Sequence, residues 1–241
     1  MKKVLIVLLS LMAAATTEAQ SFAFGLKGGL TIGVQQWNAF ERDPLFSYHG
    51  IAYIESLEAT NAFSVFAQLG YHVKGSAIRN RNFIDRFTGE PFRLPVQKFL
   101  FNNLSLVLGG KQKFSTAGDG RFYYLFGIRG DYNLSNNLDE YKTLNEASNT
   151  LVFPVPELVQ KWTYGVTVGG GLELPFSELV GGLVEFTVNP DFAAQYKQPT
   201  IPNVYDPFRG TTRTIQEKII RNITFELTVG LRFLRIVEYV D

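Results

Sequence analysis

The feature that most constrains this chain is an alternation of large apolar residues with small or polar ones at a period of two. From Phe22 to Gln35 one parity reads Phe22, Phe24, Leu26, Gly28, Leu30, Ile32, Val34, and the other reads Ala23, Gly25, Lys27, Gly29, Thr31, Gly33, Gln35. Trp162–Leu174 and Ile219–Phe233 repeat the pattern. Successive side chains of a strand point to opposite faces, so this period marks strands with two unlike faces. Phe63–Lys74, Lys98–Lys111, Phe122–Leu134 and Val180–Asn189 follow it with less purity. Gly50–Ala59 is the weakest of the eight runs, because Glu55 falls on the otherwise apolar face of Ile51, Tyr53 and Leu57. Strands in soluble sheets usually run to about 5–6 residues. A strand tilted across a bilayer needs ~9–11, a length these runs reach.

Side-chain size tells the faces apart. A soluble sandwich buries its large residues and shows Lys, Glu and Asp densely outside. Here the polar parity carries Gly, Ala, Thr and Ser with occasional charges. Small residues suit the tight interior of an eight-stranded barrel, and Phe, Leu, Ile and Val suit lipid. Closing the sheet removes the edges that hydrocarbon would not tolerate. The predicted connections alternate long and short, with Gln36–His49, Gly75–Gln97, Ser135–Lys161 and Pro190–Lys218 long. Thr60–Ala62, Gln112–Arg121 and Pro175–Leu179 are short, as a barrel with periplasmic termini requires. The fold class is therefore read as all-β: an eight-stranded antiparallel transmembrane β-barrel of the outer-membrane type with a filled lumen. A secreted soluble β-barrel is the competing reading.

Composition agrees once this pattern is seen. The mean hydropathy is +0.02, because interleaving a lipid face with a polar face cancels the average. A net charge of +1 argues against a dedicated nucleic-acid binder. The absence of cysteine excludes disulfides, thiolate metal sites, a cysteine nucleophile and a lipid anchor on an N-terminal cysteine. Lys2 and Lys3 precede an apolar run from Val4 to about Ala15, and Thr17-Glu18-Ala19 presents small residues where signal peptidase reads. The expectation is an export signal over 1–19, then one barrel domain over 20–241 ending in a short tail, 234–241.

Charges on the inward parity are the candidate functional residues: Lys27, Lys74, Lys111, Arg129, Asp131, Glu173, Glu185, Glu226 and Arg232, with Gln68 and His72 beside them. They are readable as a selective pore or an acid/base pair such as Glu173 with Glu185. The favoured reading is a structural polar network. Eight strands leave room for side chains but no water channel, and buried charges persist when paired. No catalytic, metal or cofactor-binding residue is expected. A barrel hydrolase would need a Ser, a His and an acid converging near one membrane interface; His72, placed toward the outer end of its strand, has no nucleophile motif beside it. The glycine-rich Gly25–Gly29 and Gly169–Gly171 open no helix and read as close packing rather than phosphate cradles. The expected surroundings are outer-membrane lipid and lipopolysaccharide, with no nucleic acid and no small-molecule cofactor.

Several segments resemble the PorT-like family of small outer-membrane barrels from Bacteroidota. Phe24–Leu30 is similar to that family's first strand, Leu69–Gly75 to its third and Gly165–Gly171 to its sixth. Asp191–Pro199, Ile201–Pro207 and Arg221–Leu234 carry the more specific resemblance. It implies a non-enzymatic accessory barrel of type IX protein secretion, a system that also supports gliding motility in some of these bacteria. Other secretion-system subunits would be its partners. A small transport or ligand-binding barrel is the alternative. One departure stands out: Phe233 would be the terminal aromatic of a barrel-assembly signal, yet Leu234–Asp241 follow it. Either the strand runs on to Tyr239 or a tail projects into the periplasm, where it would offer a docking peptide.

Overall fold

In the computed structural model both parities of the first run find distinct surroundings. Ala23, Lys27, Thr31 and Gln35 are buried, while Phe24, Leu26 and Leu30 are exposed, Leu26 by 67%. The structure describes residues 21–38, 42–57, 62–79, 82–84, 88–93, 95–116, 118–143, 145, 153–206 and 210–235. The 1–19 segment lies outside these residues.

The chain runs through β1 (Ser21–Trp37), β2 (Asp43–Leu57), β3 (Phe63–Ile78), a small hairpin of β4 (Asn82–Ile84) and β5 (Pro91–Arg93), then β6 (Gln97–Ser115) and β7 (Arg121–Asn136). Two short 3-10 turns, Leu138–Tyr141 and Pro156–Leu158, lead to β8 (Trp162–Pro175) and β9 (Val180–Pro190). β10 (Tyr196–Gln198), β11 (Ile201–Asp206) and β12 (Thr211–Ile215) precede the last strand, β13 (Lys218–Arg235). Eight long strands pair in the order β1-β2-β3-β6-β7-β8-β9-β13, and β13 returns to β1. Every pairing in the ring is antiparallel. The shortest of the eight has 11 residues and the longest 19, enough for each to cross a bilayer.

The outward belt is apolar all round: Leu26, Ile128 and Val229 are more than half exposed. Such a surface would be an aggregation liability in water and is the expected one in lipid. Aromatic pairs flank it, Phe24–Phe233 and Phe114–Tyr124 toward the end holding the termini and Tyr132–Trp162 toward the other. No helix among the described residues is long and apolar enough to cross a membrane; the crossing is made by strands.

Three expectations are corrected. The first connection is not long: β1 continues to Trp37 and β2 starts at Asp43, leaving 38–42 between them. The segment expected as loop carries its own alternation, with Leu45 and His49 buried and Phe46 and Tyr48 exposed. In β2 the face that looked lipid-directed points inward, since Ile51, Tyr53 and Glu55 are all buried. The reason lies in the neighbouring strand. A Cβ on Gly25 of β1 would stand 3.0 Å from the Tyr53 ring, so the glycines of β1 make the room that the large residues of β2 fill. The other long connections, third, fifth and seventh, lie at one end of the barrel, and the short turns and termini at the other. The C-terminal boundary also moves: Leu234 and Arg235 pair with Ala23 and Phe22, and 236–241 lies outside the described residues.

Candidate functional site

Because each strand turns every second residue inward, a single strand supplies successive levels of the interior. β13 alone contributes Asn222, Thr224, Glu226, Thr228 and Arg232, all buried. All nine charged residues singled out in the sequence are buried in the interior, none more than 8% exposed.

Nearest the end with the termini, Glu55 accepts from Lys111 Nζ (2.7 Å) and Ser64 Oγ (2.8 Å) and also contacts Lys113. Glu173 lies within ion-pair reach of Lys111 (3.5 Å), Lys113 (3.3 Å) and Arg232 (3.3 Å). Just above, Lys27 pairs with Glu185 at 2.5 Å, and the Tyr123 hydroxyl donates to the other Glu185 oxygen at 2.8 Å. Lys111 Nζ sits 4.2 Å from the centre of the Tyr123 ring, a cation–π contact.

The middle level holds both histidines. Their rings stack 5.5 Å apart and 12° from parallel. His49 bridges Thr31 and Thr228 at 2.9 Å each, and His72 Nδ1 bonds Glu226 at 2.7 Å. His72 is thus mid-lumen, not toward an interface as its place in the sequence suggested. Above it, Lys74 bonds Asp131 (2.7 Å) and Asp191 (3.2 Å), and Arg129 bridges the same two carboxylates. Ser105 completes Asp131, and Asn222 donates to Asp191 at 3.1 Å. Gln68 is buried beside this network.

The end opposite the termini is closed twice. Gln35, Ser76 and Asn222 form a hydrogen-bonded layer, Asn222 joined to Gln35 at 2.8 Å and Ser76 at 2.6 Å from it. Over them Phe99, Phe101, Leu138, Tyr141 and Phe153 form a buried apolar cluster. The Arg42 guanidinium lies 3.6 Å from the Trp37 ring at its edge. In the connection alongside, burial pushes the Tyr196 phenol up to about 12, so it stays a neutral donor to Gln198 (3.2 Å) while accepting from the Val155 amide (3.4 Å).

Among the acidic, basic and imidazole side chains of the network, four were missed in the sequence: Glu55, Lys113, Asp191 and His49. Lys113 follows Lys111 by two and Asp191 follows Asn189 by two, so extending the parity past the expected strand ends would have found both. Asp191 also keeps its place in the wall through a bridge to Gly165.

Chemically the interior offers little space. A cavity of about 10 Å³ beside Ile51, His72, Arg129, Glu185 and Glu226 has room for about one water and no substrate. No group of three or more His, Cys, Asp or Glu among the described residues is arranged to hold a metal ion.

Comparison with known proteins bears on this architecture. Residues 18–195 match the family described as outer membrane protein beta-barrel domain. Among solved structures the chain is similar to the outer membrane protein OprG from Pseudomonas aeruginosa, at 10% identity over 90% of this chain and 97% of that one, with a TM-score of 0.47. It is also similar to the N-terminal beta-barrel domain of Pseudomonas aeruginosa OprF, at 12% identity, 89% and 98% coverage and a TM-score of 0.39. A third likeness is to the outer membrane protease OmpT from Escherichia coli, at 11% identity, 91% and 98% coverage and a TM-score of 0.40. No functional conclusion follows from likenesses at this level. No curated protein matches the chain.

Proposed function

This chain belongs to the outer membrane protein beta-barrel domain family, and from that premise we propose that it is a non-enzymatic barrel acting through contacts with other proteins, as an accessory component of type IX secretion. The observation that carries the non-enzymatic, contact-based part is the filled interior. Ion pairs and hydrogen bonds occupy every level, and the end with the long connections is capped by the Phe99 cluster. Among the described residues nothing the size of a solute has a path through this interior or a place to react within it, which leaves the surfaces at the two ends for function. The PorT-like resemblance of Asp191–Pro199, Ile201–Pro207 and Arg221–Leu234 supports the secretion part. On this reading residues 1–19 are the export signal, lipid and lipopolysaccharide surround the belt, and other secretion subunits meet the loops and turns. Deleting the gene in its host and assaying cargo in the culture medium tests it: export should fall at least tenfold, and unimpaired export would overturn the secretion role.

The alternative, a small transport barrel, makes an opposite prediction. Purified protein inserted in a planar bilayer should give no conductance steps above the leak of the lipid alone. Reproducible unitary steps would favour transport.

A further inference from the structure

The connection from β9 to the closing strand carries a hairpin that pairs with no strand of the ring. β11 and β12 form a two-stranded sheet of their own, matched Ile201–Ile215, Val204–Arg213, Tyr205–Thr212 and Asp206–Thr211. Tyr205 is 59% exposed, and Thr211, Thr212, Arg213 and Thr214 are exposed as well. A two-stranded hairpin by itself is marginally stable in water, and a third strand or a packed face is needed to hold one. This hairpin therefore stands one strand short of a self-sufficient sheet.

Its two edges are unlike. Pro202 and Asn203 of β11 lie opposite the single Thr214 of β12, a bulge with Asn203 in the left-handed region at φ 58°. A proline, which has no N–H to offer, and a bulge are devices that blunt a sheet edge against further pairing. β12 has neither. Thr211, Thr212, Thr214 and Ile215 are β-branched, the residues that best fit an extended strand. Among the described residues no strand covers the outer edge of β12. The alternating N–H and C=O groups along such an edge match the main chain of another extended polypeptide.

Charge narrows the occupant. Arg213 is the central residue of β12 and its single charge. A second copy adding along the whole strand, parallel or antiparallel, would set Arg213 against Arg213, and like charges directly opposite one another are destabilising. A chain with an acidic residue at that place makes a favourable pair instead.

We propose that the outer edge of β12 takes an extended segment of another protein as a third strand, with an acidic residue of that segment opposite Arg213. This names the surface and the kind of partner for the contact-based function proposed for the barrel, and it rests on that function. Peptide binding to purified barrel and export in the host are separate measurements, so either can fail alone.

The test is fluorescence anisotropy of fluorescein-labelled Val-Thr-Glu-Thr-Val titrated with the full barrel in detergent micelles. Its Lys counterpart and two forms N-methylated on alternate residues, one for each parity, are run beside it. The Glu peptide should bind at least tenfold more tightly than the Lys peptide, and Arg213→Glu should invert that preference. One methylated form should lose at least tenfold in affinity and the other keep it, since only alternate N–H groups of an added strand face the edge. Two methylated forms that behave alike, equal binding of the Glu and Lys peptides, a preference unmoved by Arg213→Glu, or no binding would overturn the proposal. So would a barrel dimer that the Glu peptide dissociates, which would give the edge to a second copy. The methylated and Lys peptides are read on the wild-type protein, so the proposal stands or falls even should Arg213→Glu fail to fold.

Discussion

Replacing Arg129 by methionine is expected to destabilise the barrel by about 3–5 kcal/mol, the usual cost of removing one partner from a buried ion cluster. Arg129 is 1% exposed and bridges Asp131 and Asp191, two carboxylates that then share only Lys74. Methionine fills most of the volume, so packing is nearly kept and the loss reports the uncompensated charge. The measurement is a urea titration of barrel refolded into vesicles of one fixed lipid composition. The double variant Arg129→Met with Asp191→Asn removes one charge of each sign and should recover more than half of the loss. A single-variant loss below about 1 kcal/mol would mean that water reaches this level and screens it. The experiment thus bears directly on the filled lumen, from which the non-conducting reading of the barrel follows.

How far this arrangement was legible depended on which physical quantity each residue obeys. Parity is local, so Lys27, Lys74, Arg129, Glu185 and Glu226 could be placed inside from their own strands. Pairing is not local. Lys27 meets Glu185 at a separation of 158 residues, and that contact is set by the stagger of β1, β13 and β9, which no single strand records. Glu55 and Tyr53 were misread for a related reason. Polarity names the inward face only when that face is polar throughout, and β2 turns Ile51 and Tyr53 inward because Gly25 on β1 leaves space. Lys113 and Asp191 fell beyond the expected strand ends, because Gln112 and Pro190 interrupt the apolar face just before them although the parity continues. A recess at the end holding the termini, lined by Leu57, Leu174 and Arg232 among others, was invisible for the same reason as the pairings: its residues meet only when the turns there and the closing strand come together.

Introducing valine at Gly29 is expected to lower the yield of folded barrel at least tenfold, because that glycine sits at the seam that closes the sheet. Gly29 on β1 pairs with Thr228 on β13, and a Cβ there would lie 1.9 Å from the Leu227 carbonyl oxygen and 3.0 Å from Thr228 Cα. Both are backbone atoms, so no side-chain rotation relieves the overlap, and ordinary overpacking already costs about 1–3 kcal/mol. The seam joins the first and last strands of the ring. Prying it apart leaves unpaired N–H and C=O groups facing hydrocarbon, which lipid cannot satisfy as water would. Gly130→Ala is the control, since nothing stands within 4 Å of a Cβ at that position. The readout is the fraction showing folded gel mobility without heating after refolding into vesicles. Gly130→Ala should match the wild type while Gly29→Val runs unfolded. Wild-type yield from Gly29→Val would show that β1 and β13 do not approach this closely, and the lumen levels built across that seam, Lys27 with Glu185 and His49 with Thr228 among them, would need a different stagger.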